Sequence, residues 1–276
     1  MRGAFVRWLV LAPLLVACSN RNLPDTAPAA LRPPPAAITD SPRHGEWVMV
    51  RTAEGDSVRS WVVFPERSGP APVVIVVHEI FGVSPWIRSV TDQLAAAGFL
   101  AVAPDLLTGH DIPGAPLNPD PQAATAAVRS LRPDDVHRQI QAVARQMMAH
   151  PAAAPRYGIV GFCWGGAVAF EHAVRVPELA ASVVYYGSSP NPASVNRVST
   201  PVLGLYGGAD ARVNATVPPV DSAMRAQGKT FRAVTYDDAG HGVLRQIDGR
   251  EGANRRAAEA AWPETIAWFR QYLENR

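Results

Sequence analysis

Tyr157-Gly158-Ile159-Val160-Gly161-Phe162-Cys163-Trp164-Gly165-Gly166 is the stretch on which the fold turns. The apolar run Tyr157–Val160 reads as a strand, and the pattern over Ala167–Val176 reads as a helix. Between them lies Gly-x-Cys-x-Gly. A sharp strand-to-helix turn holds its central side chain outward and forces the neighbouring backbone together. Glycines two before and two after the cysteine leave room for that crowding. The pattern is that of a nucleophile elbow with sulfur in place of a hydroxyl. The first turn of the helix adds positive potential beside Cys163, which suits an anionic nucleophile. A tight turn around a buried, inert cysteine would use the same glycines, so the rest of the chain has to decide.

Working outward, Val73–Val77 is a β-branched run bounded by prolines, as expected of a strand covered on both faces. Similar runs lie at Leu100–Ala103, Ser182–Tyr186, Val202–Tyr206 and Arg232–Tyr236. Glu46–Thr52 and Val58–Phe64 flank the turn signal Glu54-Gly55-Asp56 and read as a hairpin. Helical patterns cover Val90–Ala97, Asp134–Met148, Val217–Ala226 and Arg255–Leu273. The alternation predicts an α/β fold: a mainly parallel twisted sheet, antiparallel edge strands at its N-terminal side, and helices on both faces. Leu106 to Pro133 is long, proline-rich and weakly periodic, which predicts a surface excursion or lid near a site.

Hydrophobic residues make up 47% of the 276-residue chain and charged residues 18%, enough apolar content for a substantial core. A net charge of +2 argues against a dedicated nucleic-acid binder. No zinc-type Cys/His spacing and no phosphate-binding glycine loop is present, so no metal or organic cofactor is expected. Arg2 and Arg7 precede the apolar run Trp8–Val16, which is too short to span a bilayer. The run ends in Leu15-Val16-Ala17-Cys18, which resembles a bacterial lipobox. The resemblance implies a lipoprotein signal peptide over residues 1–17 and lipidation of Cys18. It also implies a bacterial cell-envelope location on the periplasmic or extracellular face. Residues 18–45, rich in Pro and Ala, read as a tether, and residues 46–276 as the folded domain, expected to be monomeric. The chain has two cysteines. If Cys18 carries lipid, Cys163 has no intramolecular disulfide partner, and no second thiol could resolve an oxidised one, which disfavours a redox role.

Several further motifs fall in order along the chain. They are His78-Glu79-Ile80-Phe81-Gly82, Pro104-Asp105-Leu106, the Cys163 elbow, Tyr185-Tyr186-Gly187, Gly207-Gly208-Ala209-Asp210 and Ala239-Gly240-His241. Together they resemble the dienelactone hydrolase family, a branch of the α/β-hydrolase fold, over most of Gly45 to the C-terminus. The resemblance implies hydrolysis of small carboxylic esters or lactones. Cys163, Asp210 and His241 follow one another as nucleophile, acid and base, which is the order for this fold. Thiol acyl transfer needs a base and a group that fixes the base's tautomer. Glu79 is implied to handle the thiol proton, and burial would suit it to do so. The backbone N–H groups of Ile80 and Trp164 are the expected oxyanion donors. Arg245, four residues after His241, is implied to hold a substrate carboxylate, and Phe81, Tyr185 and Tyr186 are candidate pocket residues. Where the family has a second carboxylate-binding arginine, this chain reads Leu107-Thr108-Gly109-His110. A lipid-anchored binding protein that keeps the fold without catalysis is the competing expectation.

Overall fold

All seven residues of strand β3 (Ala71–Val77) are buried. The remaining strands are arranged around it. The computed structural model describes residues 31–38 and 40–274. The expected signal peptide, Cys18 and the first part of the expected tether lie outside the described residues. The other strands are β1 (Gly45–Arg51), β2 (Ser57–Val63), β4 (Leu100–Pro104), β5 (Ala153–Phe162), β6 (Ala181–Tyr185), β7 (Val202–Gly207) and β8 (Phe231–Tyr236). They form one eight-stranded sheet in the order β1-β2-β4-β3-β5-β6-β7-β8. β1 pairs antiparallel with β2, and β2 with β4; the rest of the sheet is parallel. The carboxyl ends of β3 and β5 to β8 therefore share one edge, where sites form in such sheets.

Strand alternation sorts the core into two layers. Val74 and Val76 face the layer of helix α1 (Pro85–Ala96) and the last helix, α7 (Ala253–Leu273). Val73, Ile75 and Val77 face the opposite layer. It is built from α3 (Pro133–Met148), α4 (Trp164–Arg175) and α6 (Val217–Ala226). A short helix, α5 (Ala211–Asn214), follows β7.

Three details differ from the sequence-based expectations. α1 starts at Pro85 rather than near Val90, because Ser84 caps it by accepting from Ile87 N and Pro85 fits its first turn. The excursion after β4 contains a helix, α2 (Pro121–Val128), capped by Asp120. Ala124 and Val128 join Leu107 and Ile112 in a small third core that packs on Ile80 and Trp164. The excursion is thus a folded flap against the predicted site. Finally, the described end of the expected tether does not hang free. Pro34 is buried, the Pro35 carbonyl accepts from Ser89 Oγ at 2.5 Å, and Arg43 grips Asp92 of α1 at 2.9 and 2.6 Å. Ser41 Oγ also donates to Asp92. Asp92 is only 4% exposed, and a buried carboxylate needs such partners. The domain therefore includes residues before position 46.

Candidate active site

The elbow stands where β5 meets α4. Cys163 has φ 56° and ψ −116°, a conformation that costs a non-glycine residue about 1–3 kcal/mol. Its flanking glycines make the turn possible. A Cβ on Gly161 would lie 1.8 Å from the Gly165 carbonyl oxygen, and one on Gly165 would lie 2.4 Å from that of His78. The end of β3 is thus pressed against the first turn of α4, and the Cys163 side chain stays partly accessible.

His241 sits in the loop after β8, between the sulfur and Asp210. Its Nε2 lies 3.1 Å from Cys163 Sγ and its Nδ1 lies 2.6 Å from Asp210 Oδ2. Asp210 caps α5, accepting from Val213 N at 3.4 Å. The two loops are knitted together by Ala209 N donating to the Ala239 carbonyl. The thiol contact, then the bond to Asp210, raises the His241 pKa to about 9 against the opposing pull of burial. The sequence reading missed Asn254, which fixes this loop. Asn254 is 1% exposed, its Oδ1 accepts from Gly240 N at 2.8 Å, and its Nδ2 donates to the Gln246 carbonyl at 2.8 Å. A lone asparagine at the start of a long helix gives no signal of that task.

Glu79 follows β3 and is 2% exposed. Burial raises its pKa, and the Arg245 guanidinium opposes that rise. Arg245 Nε lies 2.7 Å from Glu79 Oε2, without an N–H aligned on the oxygen. The guanidinium also lies over the Phe81 ring, 5.0 Å from its centroid. Tyr186 OH donates to Glu79 Oε1 at a long 3.4 Å, and its ring meets His241 edge-on at 5.0 Å. Glu79, Phe81, Tyr186 and Arg245 thus gather beside the Cys163–His241–Asp210 chain. Tyr185 does not. Its side chain is fully buried, hydrogen-bonded to Thr265 of α7 at 2.6 Å and stacked on Phe162. It is a core residue at the end of β6, whereas Tyr186 lies one residue past the strand, where a φ of 40° turns its side chain toward Glu79 and His241. Trp164 is the first residue of α4, so its N–H has no acceptor within the helix. Ile80 N–H follows Glu79 in the turn after β3.

A second cluster of titratable side chains lies behind α4. His137 of α3 and His172 of α4 face each other with Nδ1 atoms 3.1 Å apart, and His172 Nε2 lies 3.1 Å from Tyr157 OH. Burial pulls their pKa values down to about 4 and about 3. Among the described residues no group of three or more His, Cys, Asp or Glu is placed to hold a metal, and no helix is long and apolar enough to cross a membrane.

Residues 58–273 match the model of the dienelactone hydrolase family. The chain belongs to that family. It is 33% identical over 232 residues to a "Putative carboxymethylenebutenolidase" of Escherichia coli O157:H7, covering 80% of this chain and 84% of the relative. A Methylorubrum extorquens protein of the same name is 35% identical, covering 78% and 77%. Among solved structures, the "Putative Dienelactone Hydrolase" of Klebsiella pneumoniae superposes with a TM-score of 0.73 at 31% identity, over 84% of this chain and all of that one. The acylaminoacyl peptidase of Pyrococcus horikoshii superposes with a TM-score of 0.67 at 16% identity, over 85% of this chain and 42% of that one. That second likeness is of fold alone. The fold is the α/β-hydrolase fold, and this dienelactone hydrolase family member is a carboxymethylenebutenolidase-like hydrolase.

Proposed function

We propose that this chain hydrolyses small carboxylic esters or lactones with a Cys163–His241–Asp210 triad, through a thioester acyl-enzyme. The observation that carries the reading is the continuous line from Asp210 Oδ2 through His241 to Cys163 Sγ, with contacts of 2.6 and 3.1 Å. The Cys163 thiol gives its proton to Glu79, the sulfur attacks the carbonyl carbon, and the carbonyl oxygen becomes an oxyanion held by the Ile80 and Trp164 N–H groups. Collapse expels the alkoxide, which takes a proton from the His241 imidazolium, and leaves the thioester. Water then gives a proton to the now neutral His241 and attacks the thioester; the acid is released, and the departing thiolate takes its proton back from Glu79. Asp210 holds the imidazole in the tautomer that both steps need.

Glu79 serves as the proton acceptor for the resting thiol. Its partner Arg245 is the means of control: a substrate carboxylate that draws the guanidinium away removes the charge opposing proton uptake by Glu79. An anionic ester or lactone is therefore favoured, with Arg245, Phe81 and Tyr186 lining its site. The test is turnover of chromogenic short-chain esters by wild type, Cys163→Ala and His241→Ala. Equal rates in all three would remove the proposal.

We further propose that the mature protein is a monomer anchored to the bacterial cell envelope through lipid on Cys18. The support is the Leu15-Val16-Ala17-Cys18 sequence after a short apolar run. Cys18→Ala should move the protein from the membrane to the soluble fraction, and an unchanged distribution would reject the anchor. Size-exclusion chromatography of the domain tests the monomer.

A further inference from the structure

His78 has no task in the scheme above, yet it touches the scaffold of both expected oxyanion donors. Its side chain is fully buried. Nδ1 lies 2.6 Å from the Glu79 carbonyl oxygen. A carbonyl only accepts, so Nδ1 carries the proton and Nε2 is bare. That Nε2 is buried without a hydrogen-bond partner. Burial also holds the imidazole pKa below its ordinary value, which keeps this neutral form at neutral pH. The ring stacks on Trp164, with centroids 5.5 Å apart and planes 29° from parallel. An apolar side chain of similar volume would fill this space without burying an unpaired nitrogen. Space-filling alone therefore does not account for a histidine here.

The Glu79 carbonyl and the Ile80 N–H are opposite ends of one planar peptide unit. Fixing the oxygen fixes the direction of the N–H. A hydrogen bond accepted at the oxygen also polarises the unit and strengthens its N–H as a donor. We propose that His78 is a positioning residue for the oxyanion hole: its Nδ1–H orients and polarises the Glu79–Ile80 peptide, while its ring braces Trp164. The proposal rests on the reading of the Ile80 and Trp164 amides as oxyanion donors. His78 acts only through them and does not touch the substrate.

The experiment compares wild type with His78→Phe, which keeps a ring without a donor, and His78→Asn, whose amide can occupy the place of Nδ1. Three measurements are made on each. They are kcat and KM on 4-nitrophenyl acetate, the affinity of Cys163 for a trifluoromethyl ketone read as a hemithioketal by 19F NMR, and alkylation of Cys163 by iodoacetamide. Alkylation develops no oxyanion. Loss of a whole oxyanion donor costs about 100-fold or more in kcat; loss of one donor's alignment should cost about tenfold. His78→Phe should lose that factor in kcat rather than KM, and the same factor in ketone affinity, with alkylation and its pH profile unmoved. His78→Asn should recover most of both. Wild-type kcat and ketone affinity in His78→Phe would overturn the proposal. So would alkylation falling in step with kcat, or His78→Asn behaving like His78→Phe. If wild type turns over no ester yet forms the ketone adduct, the ketone series alone decides on His78, and the hydrolase reading fails separately. Absence of the adduct in wild type overturns the oxyanion hole and this proposal together.

Discussion

His241 and the His137–His172 pair are the same side chain in two surroundings at the two ends of α4. At the amino end, His241 is partly exposed and faces a sulfur and a carboxylate, and its pKa rises to about 9. Near the carboxyl end, His172 and its neighbour face each other and a tyrosine, with pKa values drawn down to about 3 and about 4. Burial disfavours the cation in both places. What differs is whether hydrogen-bonding partners that favour the cation outweigh it. A histidine by itself says little about chemistry, and its neighbours decide.

The sharpest way to break this contrast is Cys163→Ala. It should abolish turnover, a loss of about 10⁴-fold or more, and it should lower the His241 pKa from about 9, because the thiol contact is the largest cause of the rise. NMR titration of the imidazole checks the second outcome. Asp210→Asn should act in the same two ways, with turnover down about 10⁴-fold as the wrong tautomer is stabilised, read by steady-state kinetics. Glu79→Gln should cost about 100-fold in kcat/KM at neutral pH, within the usual range for a lost proton acceptor.

Stability against pH separates the two ends with opposite signs. The His241 contribution is full below the ordinary imidazole value of 6.5 and is lost as pH rises through about 9. The buried pair behaves oppositely: its contribution is full above 6.5 and is lost as pH falls through about 4 and about 3. In urea melts across pH the alkaline limb should shrink in Cys163→Ala, and the acid limb should flatten when His137 and His172 are both replaced by Phe. The smallest effect is expected from Tyr185→Phe. It should destabilise by about 1 kcal/mol through the lost bond to Thr265, measured by denaturant unfolding, with esterase activity kept.

The parts of the molecule that were legible in the sequence are those with a local signature. The β-branched run of β3, the glycines around Cys163, and the strand-end positions of Asp210 and His241 each carry their own constraint. Tyr185 was not legible. β6 is buried on both faces, so no polar alternation marks which tyrosine faces the site. α2 is short and its apolar side chains pack only on a small third core, so its pattern is weak. Asn254 and the His137–His172 contact depend on pairs far apart in sequence, which no local window contains. The docking of residues 31–44 was hidden because a proline-rich composition describes stiffness, whereas the clasp depends on Asp92 far downstream.

That clasp has a mechanical consequence. Tension applied along the N-terminal chain reaches Pro35 on Ser89 and then the Arg43–Asp92 pair before it reaches β1. Force is thus delivered into the flank of α1, and the edge hairpin is shielded from peeling. A leash pulled from outside would tug on the body of the domain while leaving its outermost strand slack.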